Sequence, residues 1–219
     1  MKKICLLLIF CGLILLPGQQ AQAEQTPVLD RAVQVLIQDD LLTLWSMGIT
    51  EKQEAQPMDL SHDALCFLLL TDMDKAMLDR GNHPALFAKM PRNYTGYVKK
   101  EAVDAVATRV FSQSLRQHHA PRGTIFNGKG YFLDFGALTQ GSGNLCGLED
   151  DNLLPGYVSF EVMELQADGS WALQGSMFRF KQMGDKEILW QEASVQAEIM
   201  PTSQGWQIRM FRFIEQGMG

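Results

Sequence analysis

Four long extended segments joined by short turns dominate the second half of the chain. They alternate apolar or aromatic residues with polar ones, and they run from Tyr157 to Gln166, Trp171 to Gln182, Ile188 to Ile199 and Trp206 to Glu215. The connections between them hold turn-forming residues, as in Ala167-Asp168-Gly169-Ser170. Because a connection this short can join only antiparallel neighbours, the four segments predict an antiparallel meander.

Both faces of the predicted sheet are partly apolar. On the second strand, strict alternation separates two aromatic residues from three others: Phe178 and Phe180 against Trp171, Leu173 and Met177. On the last strand, it separates two phenylalanines from four other apolar residues: Phe211 and Phe213 against Trp206, Ile208, Met210 and Ile214. A sheet with helices on one face and a curled interior on the other would satisfy this pattern, as would an oligomer that buries the outer face.

Three helical segments precede the strands. The first runs from Val28 to about Trp45, the second from Asp59 or Ser61 to about Arg80, and the third from Tyr97 to Leu115, which has the most regular apolar stripe. After Pro121 the helical period ends, and the turn residues 127–130 predict a hairpin between Ile125-Phe126 and Tyr131 to Phe135. The expected fold class is α+β, with N-terminal helices packed on a curved antiparallel C-terminal meander.

This order of elements resembles the cystatin-like and NTF2-like architectures, in which a long helix lies against a curved meander. The chain also resembles secreted bacterial proteins of the peptidoglycan-endopeptidase-inhibitor type. That resemblance rests on residues 97–103, which lead to Val110-Phe111, and on Gly128-Lys129-Gly130-Tyr131-Phe132. It implies an envelope role and assigns no functional residue.

The first 23 residues have the pattern of a secretory signal peptide. Lys2 and Lys3 precede an apolar run from Ile4 to Leu16, and Ala21-Gln22-Ala23 offers a small-residue cleavage site. The run is too short to span a bilayer core, so cleavage is favoured over an anchor. We therefore expect a bacterial periplasmic or secreted product without a membrane span. Its single α+β domain would cover residues 24–219, with a helical part at 27–118 and a β part at 123–216.

The net charge of this product indicates which classes of partner it can bind, and its cysteine content indicates whether it forms a disulfide. Removal of the signal peptide takes away two lysines and changes the formal charge from −6 to −8, which disfavours nucleic acid as a partner. Cys66 and Cys146 remain, and in an oxidising compartment they are expected to form a disulfide. The alternative is a small buried thiol at Cys66 and a separate thiol in the Gly-rich loop at Cys146.

The sequence holds no complete motif for catalysis, a metal or a cofactor. His118 and His119 are adjacent and have no partner at metal-ligand spacing, so a helix end is the favoured interpretation. Asp72-Met73-Asp74 and Glu149-Asp150-Asp151-Asn152 resemble only fragments of calcium loops. The prediction is therefore no catalytic residue, no metal site and no cofactor.

Aromatic and methionine residues on the strands instead favour a binding protein. The leading hypothesis is a non-enzymatic exported protein that binds a small ligand or a protein through its curved sheet and the rim loop from Gly136 to Pro155. The candidate ligand-binding residues are Trp171, Met177, Trp190, Trp206 and Met210. Two alternatives stay open: an inhibitor or accessory factor of wall-processing enzymes that acts through the acidic loop 149–152, and an uncharacterised hydrolase in which two carboxylates, or a histidine and a nucleophile, converge.

Overall fold

The structure is a computed structural model that describes residues 28–51, 60–136, 156–183, 185–203 and 205–216. Its helices are α1 (Arg31–Ser46), α2 (Leu60–Thr71), α3 (Met73–Ala76) and α4 (Lys100–Phe111). Its strands are β1 (Met77–Asp79), β2 (Gly96–Lys99), β3 (Thr124–Phe126), β4 (Gly130–Leu133), β5 (Gly156–Leu165), β6 (Trp171–Met183), β7 (Lys186–Thr202) and β8 (Gly205–Glu215).

The four long C-terminal strands form the meander that the sequence predicts. All neighbours are antiparallel and the order across the sheet is β5-β6-β7-β8. The chain combines four helices with two antiparallel sheets in the part that the structure describes, so the predicted α+β class is confirmed. Within the described ranges, no helix combines the length and the apolar character that crossing a bilayer requires.

Helix α1 follows its sequence pattern closely. The carboxylate of Asp30 caps its N-terminus by accepting hydrogen bonds from the backbone N–H groups of Ala32 and Val33, at 2.8 and 3.3 Å. The residues Ile37, Leu41 and Leu44 repeat at helical spacing and are fully buried. The predicted first helix is therefore confirmed.

The predicted second helix is wrong at its C-terminal end, and the third is wrong at both ends, since α4 ends at Phe111 and not at Leu115. The second was expected to reach Arg80, but α2 ends at Thr71, and residues 77–79 form strand β1. The third was expected to begin at Tyr97, but residues 96–99 form strand β2, where Val98 pairs with Met77 on one side and with Tyr131 on the other. Strand pairing with distant residues overrides the local helical pattern in both places.

The short strands form a second antiparallel sheet in the order β1-β2-β4-β3. The predicted hairpin between β3 and β4 is confirmed, and the side chain of Asn127 stabilises its turn by accepting hydrogen bonds from the backbone N–H groups of Lys129 and Gly130, both at 3.0 Å. Tyr131 and Leu133 of β4 join the main core, whereas Phe132 faces a small separate cluster with Phe87 and Tyr97.

The main core lies between the helices and one face of the meander. Its buried members are mainly aliphatic and aromatic, and they include Ile37, Leu41, Leu44, Leu65, Phe67, Val103, Val110, Phe111, Leu173, Met177, Val195, Ile199, Ile208, Phe211 and Phe213. Each side chain of this size stabilises the fold by about 1.5–3 kcal/mol through burial alone. We refer to this side of the meander as the helix face and to the opposite side as the open face.

A largely buried ionic group at the edge of the core joins α1, α4 and β8. Arg109 donates hydrogen bonds to the carboxylate of Asp40, which is 5% exposed, and the indole N–H of Trp206 donates to the same carboxylate at 3.2 Å. The guanidinium of Arg109 also lies over the rings of Phe67 and Trp206, 5.8 and 5.1 Å from their centroids. Burial raises the pKa of Asp40, although Arg109 and Trp206 act in the opposite direction.

Candidate functional site

Three of the five predicted ligand-binding residues lie in the core or pack against it. Met177 is fully buried and Trp171 is 6% exposed, and both belong to the helix face. Trp206 packs against the same core and donates its indole N–H to Asp40. These three side chains therefore stabilise the contact between the helices and the sheet.

The other two predicted residues are exposed but lie on opposite faces of the sheet. Trp190 is 39% exposed and pairs with Arg179, on the helix face, whereas Met210 is 40% exposed and pairs with Glu198, on the open face. Cross-strand partners share a face. The five residues thus do not converge on one site.

Three β-bulges interrupt the alternation of side chains along the strands of the meander. Beyond a bulge, the simple alternation of the sequence assigns a side chain to the wrong face of the sheet. Each strand pair of the meander contains one extra residue, and the extra residues are Glu161 in β5, Glu192 in β7 and Arg209 in β8. A bulge reverses the alternation beyond it. Hence the prediction that Trp206 and Ile208 oppose Phe211 and Phe213 is wrong, because all four lie on the helix face.

Each bulge residue is charged and has a polar partner. Arg209 donates to Asp168 at 2.6 Å and to Glu198 at 3.2 Å, and Glu192 lies 2.8 Å from Nε of the buried Arg179. Hydrogen bonds from Ser170, reinforced by the one from Arg209, lower the pKa of Asp168 to about 2. The bulges therefore direct charged groups to defined positions at the sheet surface.

A row of serines crosses the open face. Ser159, Ser176 and Ser194 occupy paired positions on β5, β6 and β7, and Ile214 of β8 continues the row. Their side chains are small, whereas the next row along the strands holds Gln174 paired with Gln196. Because the serine side chains are shorter than the glutamine side chains beside them, the row of serines forms a depression in the sheet surface.

This depression, which we call the serine trough, has a volume of about 470 Å³. All of its lining residues belong to the meander: Glu161, Gln174, Gly175, Ser176, Gln191, Ser194, Val195, Gln196 and Ile214. Glutamine and serine dominate the lining, and each of these side chains can both donate and accept hydrogen bonds. The trough is therefore a polar recess with convergent hydrogen-bonding groups.

A hydrogen-bonded chain fixes the floor of the serine trough. Ser176 is only 5% exposed although it lies on the open face. Its hydroxyl donates to Oε1 of Glu161 and accepts from the side-chain amide of Gln191, both at 2.9 Å. The bulge in β5 places the Glu161 carboxylate within reach of this hydroxyl, so the groups are held in place before any ligand arrives.

An aromatic pair borders one end of the serine trough. Tyr157 and Phe178 are cross-strand partners whose rings stack with centroids 5.1 Å apart and planes 24° apart. Phe178 follows Ser176 by two residues on the same strand face, which separates them by about 7 Å at the usual rise of a strand. Since Tyr157 is 42% exposed, the pair offers an apolar platform beside polar groups.

A second recess lies along the exposed side of α4. It has a volume of about 770 Å³, and its lining includes three acidic residues and one arginine: Asp72, Glu101, Asp104 and Arg109. The arginine is bound to Asp40, and Asp104 forms an ion pair with Lys100 one turn away. Arg109 and Asp104 are thus engaged in structural ion pairs.

His118 forms a third polar cluster, next to α4 and β4. Its Nδ1 lies 2.7 Å from the hydroxyl of Tyr131, its Nε2 lies 3.1 Å from Oδ1 of Asp104 without the alignment of a hydrogen bond, and its ring stacks on Phe126. Sequence reasoning assigned His118 to an exposed helix end, but its side chain is only 6% exposed. Tyr131 is fully buried, so no substrate can reach this histidine–hydroxyl pair and it supports a structural role.

Burial makes His118 a source of pH-dependent stability. Desolvation lowers its pKa, the Asp104 carboxylate opposes the shift, and Lys100 adds to it. The unfolded chain therefore binds a proton first as the pH falls through about 6.5. We expect the free energy of unfolding to decrease from pH 7 toward pH 5 and this decrease to be smaller in His118→Gln.

Urea unfolding at several pH values measures this effect. His119→Gln is the matched control, because His119 is exposed and contacts its surroundings through its backbone N–H, which donates to Ser61 at 3.1 Å. The control should keep the wild-type pH dependence. Equal slopes in the His118 variant and the wild type would contradict the assignment.

Two further predictions concern the disulfide and metal binding, and both involve parts of the chain that the structure describes only incompletely. Cys66 is buried in α2, but Cys146 and most of the predicted rim loop fall in the range 137–155, so the disulfide stays a prediction. Among the residues that the structure describes, no three histidine, cysteine or acidic side chains come together as a metal site would require.

The serine trough was missed by sequence reasoning. Three serines at paired positions were a usable signal, but their alignment depends on the register of three strands. Comparisons of the chain with protein families, with curated proteins and with solved structures find no match.

Proposed function

We propose that the chain is an exported, non-enzymatic binding protein whose open sheet face holds its ligand. The observation that supports this is the serine trough: a recess built from four strands, with a buried hydroxyl held between Glu161 and Gln191 and an exposed aromatic ring at its border. Binding sites commonly combine a concave surface with a few fixed polar groups and an aromatic side chain.

The arrangement of the fold is consistent with this role. Helices cover one face of the meander and thereby make the sheet a rigid support, while the trough on the other face is lined by strand residues alone. Sites on strands hold their side chains more accurately than sites on loops. The same arrangement supports a relation to the cystatin-like and NTF2-like architectures, which we include in the proposal together with a periplasmic or secreted location.

Thermal unfolding of the purified protein tests the proposal without knowledge of the ligand. The probes are neutral oligosaccharides, short peptides, dicarboxylates and polyamines. A ligand at about ten times its Kd stabilises the folded state by about 1.4 kcal/mol, which raises the Tm of a protein of this size by about 3–6 °C. We expect at least one class of probe to produce such a shift.

Two tryptophan variants locate the site. Ser194→Trp fills the serine trough on a strand that tolerates an aromatic residue, and Ser203→Trp places the same side chain in the recess beside α4. The Tm shift should vanish in the first variant and persist in the second. The reverse result would move the binding site to the helix recess and overturn the proposal.

A further inference from the structure

The serine trough has the hydrogen-bonding character of a site for hydroxyl groups. Its lining holds three glutamines and two serines, all of which donate and accept, and one ionisable residue, Glu161. Lysine and arginine are absent from the residues that line it, and the neighbouring Arg212, the cross-strand partner of Gln196, has its Nε 3.6 Å from the carboxylate of Glu51. A neutral ligand with many hydroxyl groups matches this composition better than a charged one.

The dimensions of the trough favour an extended ligand. Ser159 and Ser194 lie two strands apart, and Ile214 lies one strand further, which gives the row a length of about 14 Å at the usual strand spacing. This length accommodates more than one sugar ring placed across the strands. Cross-strand glutamines along one side provide repeated amide groups at the same spacing.

The stacked pair of Tyr157 and Phe178 at the border of the trough offers a surface for the apolar face of a sugar ring. A pyranose ring has polar edges and an apolar face of C–H groups, and such a face packs on an exposed aromatic ring. Tyr157 presents a half-exposed ring beside the polar trough and is held there by stacking on Phe178. Polar recess and aromatic platform thus fit the two kinds of surface of one sugar.

We infer that the serine trough binds a neutral oligosaccharide, with Gln191, Ser194 and neighbouring amides contacting its hydroxyl groups and Tyr157 packing on a ring face. This inference rests on the proposed function, since it names the ligand class of the same site. It also distinguishes the site from one for peptides, which would require a free strand edge or apolar pockets for side chains.

Isothermal titration calorimetry tests the inference with four defined probes. Chitotetraose and cellotetraose are neutral oligosaccharides, tetragalacturonate carries carboxylates on similar rings, and tetraalanine is a peptide of comparable length. We expect binding of at least one neutral tetrasaccharide and none of the other two. Removing one hydrogen-bonding side chain in Gln191→Leu, or the ring in Tyr157→Ala, should weaken it about fivefold to tenfold.

A control variant and the alternative outcomes distinguish failure of the carbohydrate inference from failure of the proposed function. Gln113→Leu makes the same substitution at an exposed position away from the trough and should leave the affinity unchanged. Binding of tetraalanine or tetragalacturonate that is lost in Gln191→Leu, without binding of the neutral sugars, would overturn the carbohydrate inference and leave the proposed function intact. Sugar binding that neither trough variant weakens would overturn the assignment to this site. If no probe binds and no Tm shift depends on Ser194, both proposals fail.

Discussion

Asp40→Ala is expected to lower the free energy of unfolding by about 2–3 kcal/mol, because it leaves the Arg109 guanidinium, whose side chain is 26% exposed, without its carboxylate partner. The substitution also removes the acceptor of the Trp206 indole N–H. Arg109 and Trp206 join α4 and β8 to α1 through this carboxylate. Its loss should therefore weaken the contact between the helices and the sheet as a whole.

Equilibrium unfolding in urea measures this change. Asp39→Ala is the matched control, since Asp39 precedes Asp40 on the same helix but is exposed, and it should cost less than about 1 kcal/mol. Replacing both partners, as in Asp40→Leu with Arg109→Met, should restore much of the stability because no buried charge is left unpaired. A cost below about 1 kcal/mol for Asp40→Ala would contradict the buried ionic group.

Gly175→Ala is expected to cost about 3 kcal/mol, at the upper end of overpacking effects. A Cβ atom at this position would lie 2.0 Å from the carbonyl oxygen of Ser159 and 2.9 Å from Cα of Phe160. Both atoms belong to the backbone of β5, so no side-chain rotation can relieve the clash. Strand β5 would have to move away from β6 next to its bulge at Glu161.

A second glycine in the same hairpin provides the comparison. Gly169 has a φ of +84°, but a Cβ there would meet no atom within 4 Å, so Gly169→Ala should cost about 1–2 kcal/mol through backbone strain alone. Because Gly175 also lines the serine trough, its variant should lose ligand binding together with stability. If urea unfolding gave Gly175→Ala the smaller cost of the two, the close approach of β5 and β6 would be contradicted.

Periodicity in the sequence identified the elements whose contacts are local. The meander, the β3–β4 hairpin and α1 were predictable because short turns, an N-cap at Asp30 and a regular apolar stripe all act within a few residues. Strands β1 and β2 were not, because residues 77–79 and 96–99 are extended only through pairing with each other and with β4.

The site depended on long-range register and was therefore beyond sequence reasoning. Glu161, Glu192 and Arg209 are single extra residues that reverse the alternation of their strands, and nothing in the local pattern marks them as bulges. The strand pattern predicts large aromatic and methionine side chains as binding residues, but Trp171 and Met177 fill the core. Smaller residues, such as Ser176 and Ser194, form the recess.

The most direct test of the central claim is an NMR titration of the ¹⁵N-labelled protein with chitotetraose and, separately, with cellotetraose. If the open face binds the ligand, the largest changes in amide chemical shift should fall on Ser159, Ser176, Gln191 and Ser194 and spread to Tyr157 and Phe178. Amides of α4 that line the other recess, such as Ala105 and Thr108, should stay unchanged. Shifts concentrated on α4 with none in the serine trough would contradict the account.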